Sequence, residues 1–273
     1  DPAAMQAYDQ TNRLLEPFDL AAAFLDRDAV HRLEPALSHR VCGGWHHRTD
    51  SHLRPESLVS AWTRAVRAKG VAIEEECRLE RLLTRDGRIT AVHTTRGRFT
   101  ADRYILAAGA WAPLIGRQIG LRLPVQPGKG YSITMERPAV CPQTPCYLYE
   151  RNVVVTPWKS GYRLGGTMEF SGFDTSLNQA RLDKLEQAAA VYFKSPPAGR
   201  VTERWTGLRP MCVDDLPIID RAPALDNLYI AAGHGMLGLT AATGTGRLIA
   251  DMIIGRPPAI DPEPFSIKRF AVG

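Results

Sequence analysis

Residues 227–253, NLYIAAGHGMLGLTAATGTGRLIADMI, place glycines where a strand gives way to a helix. The apolar run Leu228–Ala232 reads as a strand that ends at Gly233. Gly235 and Gly238 then lie in a loop that feeds a helix near Leu239 or Thr240. A glycine loop lets backbone N–H groups approach a ligand closely, and the helix N-terminus adds partial positive charge. Such a site suits a phosphate, a carboxylate, or a cofactor ring that becomes anionic on reduction. The same glycines also suit a tight turn that serves packing alone. Gly244 and Gly246 resemble part of a dinucleotide fingerprint, but they fall inside the helix and read as small residues for close helix packing. The spacing GxGxxG occurs at 233–238 and nowhere else in the chain.

Arg209 is the second residue that can carry chemistry. It stands in Trp205-Thr206-Gly207-Leu208-Arg209-Pro210, ahead of Asp215-Leu216-Pro217-Ile218-Ile219. Held between glycine and proline, its planar fork can grip a carboxylate through two parallel hydrogen bonds. A surface or salt-bridged arginine is the plainer alternative. His46, His47, Asp50 and His52 match no standard metal-ligand spacing and read as a polar loop. Tyr131, Tyr147 and Tyr149 fall in or near strands and can donate phenolic hydrogen bonds, or simply fill a sheet. Neither a GxSxG elbow nor an HExxH pair is present, so hydrolase chemistry has no support.

The elements that must hold these residues are legible in outline. Of the 273 residues 44% are hydrophobic and 23% charged, an ordinary globular balance for one large domain or two interleaved ones. The net charge of +5 is scattered among acids, which is not the footprint of a nucleic-acid binder. The five cysteines form no CxxC pair and read as reduced thiols. No stretch approaches the ~18 apolar residues of a membrane span, and no signal peptide is visible, so a cytoplasmic protein is expected, at most peripheral at the inner membrane.

Residues 3–16 and 20–34 read as helical, with Asp26 or Asp28 as a cap, and Cys42-Gly43-Gly44-Trp45 reads as a turn. A helix starts at Pro55 and stops at Gly70, with Leu58, Ala61, Trp62, Ala65 and Val66 on one buried face. Strands are expected at Val71–Glu75, Leu79–Thr84 and Ile89–Thr95, with turns at Asp86-Gly87 and Arg96-Gly97. The run 103–110 suits a central parallel strand buried on both faces. From about Leu123 to Arg204 antiparallel strands take over, interrupted by a helix over about 178–193.

These motifs together resemble the D-amino-acid-oxidase-like family of FAD-dependent oxidoreductases. The likeness lies in GLRP at 207–210, LPIID at 216–220 and the stretch 227–253. Further matches are LEPAL at 33–37, PVQPGKGYSI at 124–133, YRLGGTMEF at 162–170 and residues 88–115. Within the family, Gly-His-Gly-x-Leu-Gly at 233–238 is most similar to the small subunit of bacterial D-amino-acid dehydrogenase.

The resemblance implies an α/β plus α+β fold, a partial Rossmann-like FAD-binding domain (1–122 and 206–273) interrupted by an antiparallel-sheet substrate domain (123–205). It implies FAD as cofactor, with Ala108, Gly109, Ala110, Gly233, His234, Gly235, Gly238, Leu239 and Thr240 beside it. Arg209 would anchor the substrate carboxylate, and Tyr149 is the nearest candidate for a second grip. No catalytic base is required, because hydride passes from substrate Cα to the flavin. The product imino acid would hydrolyse to a 2-oxo acid and ammonia, and electrons would leave to a quinone or another acceptor. The alternatives are a glycine- or sarcosine-type oxidase that uses oxygen, and a non-catalytic piece that serves a partner chain. The chain departs from the family in lacking the opening strand with the GxGxxG turn directly after it, its one GxGxxG lying at 233–238. It therefore reads as truncated, expected to need a missing N-terminal half or a partner subunit and to be inactive alone.

Overall fold

The computed structural model describes residues 1–195 and 199–270. In chain order the elements are α1 (Pro2–Leu15), β1 (Ala23–Asp26), α2 (Arg27–Leu33), β2 (Gly43–His46) and α3 (Pro55–Ala68). There follow β3 (Leu79–Arg85), β4 (Arg88–Thr94), β5 (Gly97–Phe99), β6 (Tyr104–Leu106) and α4 (Ala112–Arg117). Next come β7 (Val125–Met135), β8 (Cys146–Leu148), β9 (Val153–Trp158), β10 (Gly161–Glu169) and α5 (Gln179–Tyr192). The chain closes with β11 (Val201–Cys212), β12 (Ile218–Arg221), β13 (Leu228–Ala232) and α6 (Gly238–Ile254). Helices alternate with antiparallel and parallel strands, the mixed α/β architecture that the sequence implied.

Two compact units emerge, divided differently from the expected domains. The first comprises 1–71, 130–168 and 176–207; the second comprises 72–129, 169–175 and 208–273. The expected borders at 122 and 205 lie close to the observed ones at 129 and 207, but residues 1–71 group with the antiparallel sheet. The reason is packing: Val30, Ala36 and Leu37 enter the same core as Tyr131, Ile133, Val155 and Leu164.

In the first unit a sheet of order β11-β7-β10-β9-β8 is covered by α5. The helix forms where its pattern predicted, and Leu182, Leu185 and Ala189 are buried along one stripe. Its last carbonyls would be orphaned. Ser38 N–H and Oγ–H satisfy two of them by donating to Tyr192 O and Val191 O, both at 2.8 Å. The carboxylate of Glu34, 2% exposed, accepts from Gln143 N at 2.7 Å and Thr144 N at 2.9 Å. Asp26 caps α2 as expected, accepting from Ala29 N at 2.7 Å.

Three expectations in this unit need correction. Residues 20–34 hold β1 before a short α2, and the Gly43-Gly44 segment is strand β2, paired antiparallel with β1. Gly43 is there for close approach, since a Cβ would sit 2.7 Å from Leu25 O. Helix α3 forms, but none of its residues is buried: Trp62 is 40% exposed and Val59 54%. Glu56 ties α3 to β10 through Arg163 at 2.8 Å.

The second unit contains an antiparallel sheet β3-β4-β5 and a sheet of order β12-β13-β6, in which β13 and β6 are parallel. The turn between β3 and β4 uses Asp86 (φ 49°) and Gly87 (φ 70°), as the Asp-Gly pair predicted. Residues Val71–Glu75 form no strand. Alternation along β12 and β13 sends Ile218, Ile230 and Ala232 into one core, and Ile219 and Tyr229 onto Leu248 and Ile249 of α6. In β6, Leu106 is buried but Ile105 is 52% exposed, so this strand is not covered on both faces. A Cβ added at Gly244 or Gly246 in α6 would meet no atom within 4 Å, so close packing does not explain these glycines among the described residues.

Asn227, 1% exposed, joins the two sheets of this unit by a two-point amide bridge. Its Nδ2 donates to Ile89 O and its Oδ1 accepts from Ile89 N, both at 2.8 Å. Asn227→Ala strands a buried donor and acceptor, each costing roughly 1–3 kcal/mol. Urea unfolding should show a loss of about 3 kcal/mol in this variant.

A second stabilising contact is titratable. Arg269 grips Asp214 through Nε–Oδ2 at 2.7 Å and Nη2–Oδ1 at 3.2 Å. These hydrogen bonds hold the Asp214 carboxyl down at about 2. Because the folded value lies below the unfolded one, near ~3.9, the contribution is complete above pH ~4 and is lost as pH falls through about 2. Asp214→Asn should therefore flatten the acid limb of an unfolding-versus-pH curve while barely changing its slope near neutrality.

Candidate functional site

The glycine loop and Arg209 meet in the second unit. Strand β13 ends at Gly233, whose φ of 78° places it in the left-handed region. A Cβ there would press to 3.2 Å on Cys212 and Val125, so both conformation and space require glycine. Gly235 is also left-handed, at φ 54°. The loop is fastened to the end of β11: Gly235 N donates to Pro210 O at 2.9 Å, and His234 bridges to Met211. Arg209 thus lies on the strand that directly carries the loop.

Helix α6 then starts at Gly238 with no side-chain cap on its first turn. Its internal bonding begins with Ala241 N donating to Leu237 O at 2.8 Å, which leaves the N–H groups of Gly238, Leu239 and Thr240 ahead of it. Around these donors stand exposed apolar side chains, Met236 at 69% and Leu237 at 63%. Donors beside uncovered apolar surface suit a flat ring with an anionic or carbonyl edge.

Ala108, Gly109 and Ala110 follow β6, with Gly109 at φ 53° and Ala110 buried. Since β6 runs parallel to β13, with Leu106 opposite Ile230, both segments leave the sheet at its carboxyl end. That is the edge where ligands bind in parallel sheets. The expected cofactor positions, together with Arg209, therefore share one edge of one unit.

Two titratable groups here respond to burial. Desolvation lowers the Arg209 pKa, and the side chain is half-buried. It also lowers the His234 pKa, favouring the neutral ring, whose Nε2 lies 2.9 Å from Thr245 Oγ1 on α6. His234 thereby braces the loop against the helix that follows it.

Tyr149 is placed elsewhere. It opens a short 3-10 turn after β8 in the first unit, with its ring 5.6 Å from Tyr8 and 5.9 Å from Tyr147. His47 hydrogen-bonds Tyr8 Oη at 2.6 Å, and His52 donates to Pro157 O at 3.2 Å. The histidines therefore sit in strand and sheet-edge contacts, and no group of three metal-ligating residues occurs among the described residues.

Lys129 stands outside the residues that the sequence singled out. Its side chain is fully buried and pairs with Asp174 at 2.7 Å and Glu169 at 3.5 Å. These bonds hold segment 169–175 in the second unit, aided by Phe173 against Trp111 at 6.1 Å. The signal was a lysine inside a strand-forming run, which has to be paired when buried. Among the described residues, no helix is long and apolar enough to cross a membrane.

Comparison with known proteins finds relatives over most of the chain. A family model described as FAD dependent oxidoreductase (DAO) matches residues 1–252. A D-amino acid dehydrogenase of Allorhizobium ampelinum is 36% identical over 254 residues, covering 91% of this chain and 60% of the relative. One of Methylobacterium nodulans is 37% identical over 268 residues, covering 94% and 62%. The chain thus spans about three fifths of the length of these relatives. Among solved structures, glycine oxidase from Geobacillus kaustophilus superposes with a TM-score of 0.91 at 24% identity, covering 98% of this chain and 72% of that one. L-proline dehydrogenase from P. horikoshii gives 0.86 at 20%, covering 99% and 74%. The likeness extends through nearly the whole of the sequence, and the chain belongs to the DAO family of FAD-dependent oxidoreductases.

Proposed function

We propose that this chain supplies the substrate-side part of an FAD-dependent D-amino-acid dehydrogenase, which converts a D-amino acid to a 2-oxo acid and ammonia. The observation that carries the reading is the fastening of the glycine loop to the strand of Arg209, through Gly235 N–H and Pro210 O at 2.9 Å. Bound FAD supplies the redox chemistry by accepting hydride from the substrate Cα. The residues of this chain do the positioning. The N–H groups of Gly238, Leu239 and Thr240, at the positive end of α6, would face the ring edge that gains charge. Gly233 and Gly235 let the backbone come close, and Ala108–Ala110 leave room beside the ring. Arg209 would hold the substrate carboxylate, so that Cα presents its hydrogen in one orientation. No side chain has to remove a proton from carbon, provided that the amine reacts in its neutral form.

Support for the D-amino-acid reading comes from the relatives, which at 36–37% identity carry that name. We expect electrons to leave to a quinone or a similar acceptor, in the cytoplasm or at the inner-membrane surface. The one GxGxxG of the chain, 233–238, lies in the loop assigned to the ring, and no second one is present for the pyrophosphate, so we expect the isolated 273 residues to purify colourless and inactive. The test is anaerobic flavin reduction by paired D- and L-amino acids in the flavin-loaded enzyme, followed by mixing with a quinone or with oxygen. Reduction by the D-enantiomer and reoxidation by quinone are expected. Equal rates for both enantiomers, or turnover of glycine and sarcosine with oxygen alone, would overturn the reading, as stoichiometric FAD on the isolated chain would overturn its expected inactivity.

A further inference from the structure

Strand β10 ends at Glu169, and residues 169–175 belong to the second unit although the residues before and after them belong to the first. Residues 170–175 form no helix or strand, and Gly172 turns the chain with φ 64°. Without a regular backbone ladder, side chains have to fix this segment.

Two anchors do so, both within the second unit. Lys129 Nζ pairs with Asp174 Oδ2 at 2.7 Å and with Glu169 Oε1 at 3.5 Å, so the segment is held near each of its ends. The lysine side chain is fully buried, and a buried ammonium persists only beside such carboxylates. Phe173, midway, lies against Trp111 with ring centroids 6.1 Å apart and an interplanar angle of 36°.

Both anchor points adjoin the proposed site. Lys129 is on β7, the strand next to β11, which carries Arg209. Trp111 closes the 3-10 turn Gly109–Trp111 that follows Ala108. The segment is therefore tied at one point to the strand beside Arg209 and at another to the turn expected beside the flavin. Phe173 is 40% exposed and Trp111 49%, which leaves aromatic surface at that edge for a flat ring.

We propose that residues 169–175 are a strap across the cofactor edge of the second unit, shielding the ring from water, and that Lys129 is the positioning residue that latches it. The inference rests on the flavin assignment proposed above and deepens it. Lys129 acts through Asp174 and Glu169 and touches no reacting atom. A drier ring edge strengthens every dipole aimed at it, which is what the strap contributes to the reaction.

Hydrogen exchange on the 273-residue chain reads the latch without flavin. In Asp174→Asn, which removes the charge of a half-exposed partner, amides of 169–175 should exchange about ten- to a hundredfold faster, the worth of one charge-assisted hydrogen bond. Amides of α5 should keep the parent rates, and Asp174→Glu, which keeps the charge, should keep the protection. Lys129→Met should open the strap further, but it strands two carboxylates and lowers the melting temperature as well, so the decision falls on Asp174 and Phe173. In the flavin-loaded enzyme, acrylamide should quench flavin fluorescence more strongly in Asp174→Asn and in Phe173→Ala than in the parent, at an unchanged melting temperature.

Unchanged exchange over 169–175 in Asp174→Asn, or a rise shared equally by α5, would overturn the latch. Flavin equally accessible to acrylamide in the parent and both variants would overturn the strap. The two readings fail separately. A shielded flavin that no amino acid reduces would sink the oxidation and leave the strap, whereas an unshielded flavin that D-amino acids reduce normally would sink the strap and leave the oxidation.

Discussion

Arg209→Ala in the flavin-loaded enzyme is expected to lower kcat/KM for D-amino acids by roughly ten- to more than a hundredfold. This magnitude follows from hydrogen bonds to charged groups, which contribute about 1.5–3 kcal/mol, and from the two-point fit of guanidinium to carboxylate. Arg209 is half-buried and its charge is disfavoured by desolvation, so a carboxylate brought beside it gains more than it would in water. Arg209→Lys should restore only part of the loss, because an ammonium cannot reproduce the fork. The decisive readout is selectivity. Stopped-flow flavin reduction by an amino acid and by its carboxylate-free amine should differ strongly in the parent and little in Arg209→Ala. A misfolded variant would lose both activities together, whereas a variant that still discriminates as the parent does would place the carboxylate anchor elsewhere.

The next largest effect is expected at Gly238. This residue occupies the first position of α6, where proline is well tolerated and the N–H has no intrahelical acceptor. Gly238→Pro therefore removes one donor from the proposed ring contact while keeping the helix. A Cβ at this position meets only His234 Cβ at 3.5 Å, an ordinary contact, so Gly238→Ala serves as the control for bulk. Losing one donor to a buried ring edge costs roughly 1–3 kcal/mol, which corresponds to about a five- to more than a hundredfold weaker flavin affinity or slower reduction. The alanine variant should behave nearly as the parent. If proline and alanine variants retain flavin equally well, the ring does not use this N–H.

Local chemistry made part of this molecule legible in its sequence. Asp86-Gly87 specified a hairpin, Asp26 a helix cap, and Leu182, Leu185 and Ala189 the buried stripe of α5. The strand–glycine–helix passage from Leu228 to Ile254 fell where expected, one residue earlier at the start of α6 than Leu239. What escaped depends on distant partners. The periodicity of α3 reports an apolar face, not what covers it, and Trp62 remains exposed. Residues Val71–Glu75 have strand-like alternation, but a strand exists only where a neighbour completes its hydrogen bonds. Gly43-Gly44 looked like a turn because close backbone approach and positive φ both call for glycine, and sequence alone does not separate them. The ring contact of Tyr149 was not legible either, because its partner Tyr8 is far away in the chain.

The chain crosses between its two units five times, and that connectivity constrains how it can be made. Strand β13 pairs with β6 through Leu228 opposite Tyr104, a partner 124 residues earlier. At ~5–20 residues per second of synthesis, β6 emerges roughly 6–25 seconds before the strand that completes its ladder. During that interval Ile105 and the open edge beside it are available to other chains. Neither unit can be completed from one contiguous stretch, so the nascent protein has no early folded stage to shelter in. Yield in a heterologous host should accordingly respond to growth temperature and chaperone supply more than to codon choice within any one segment.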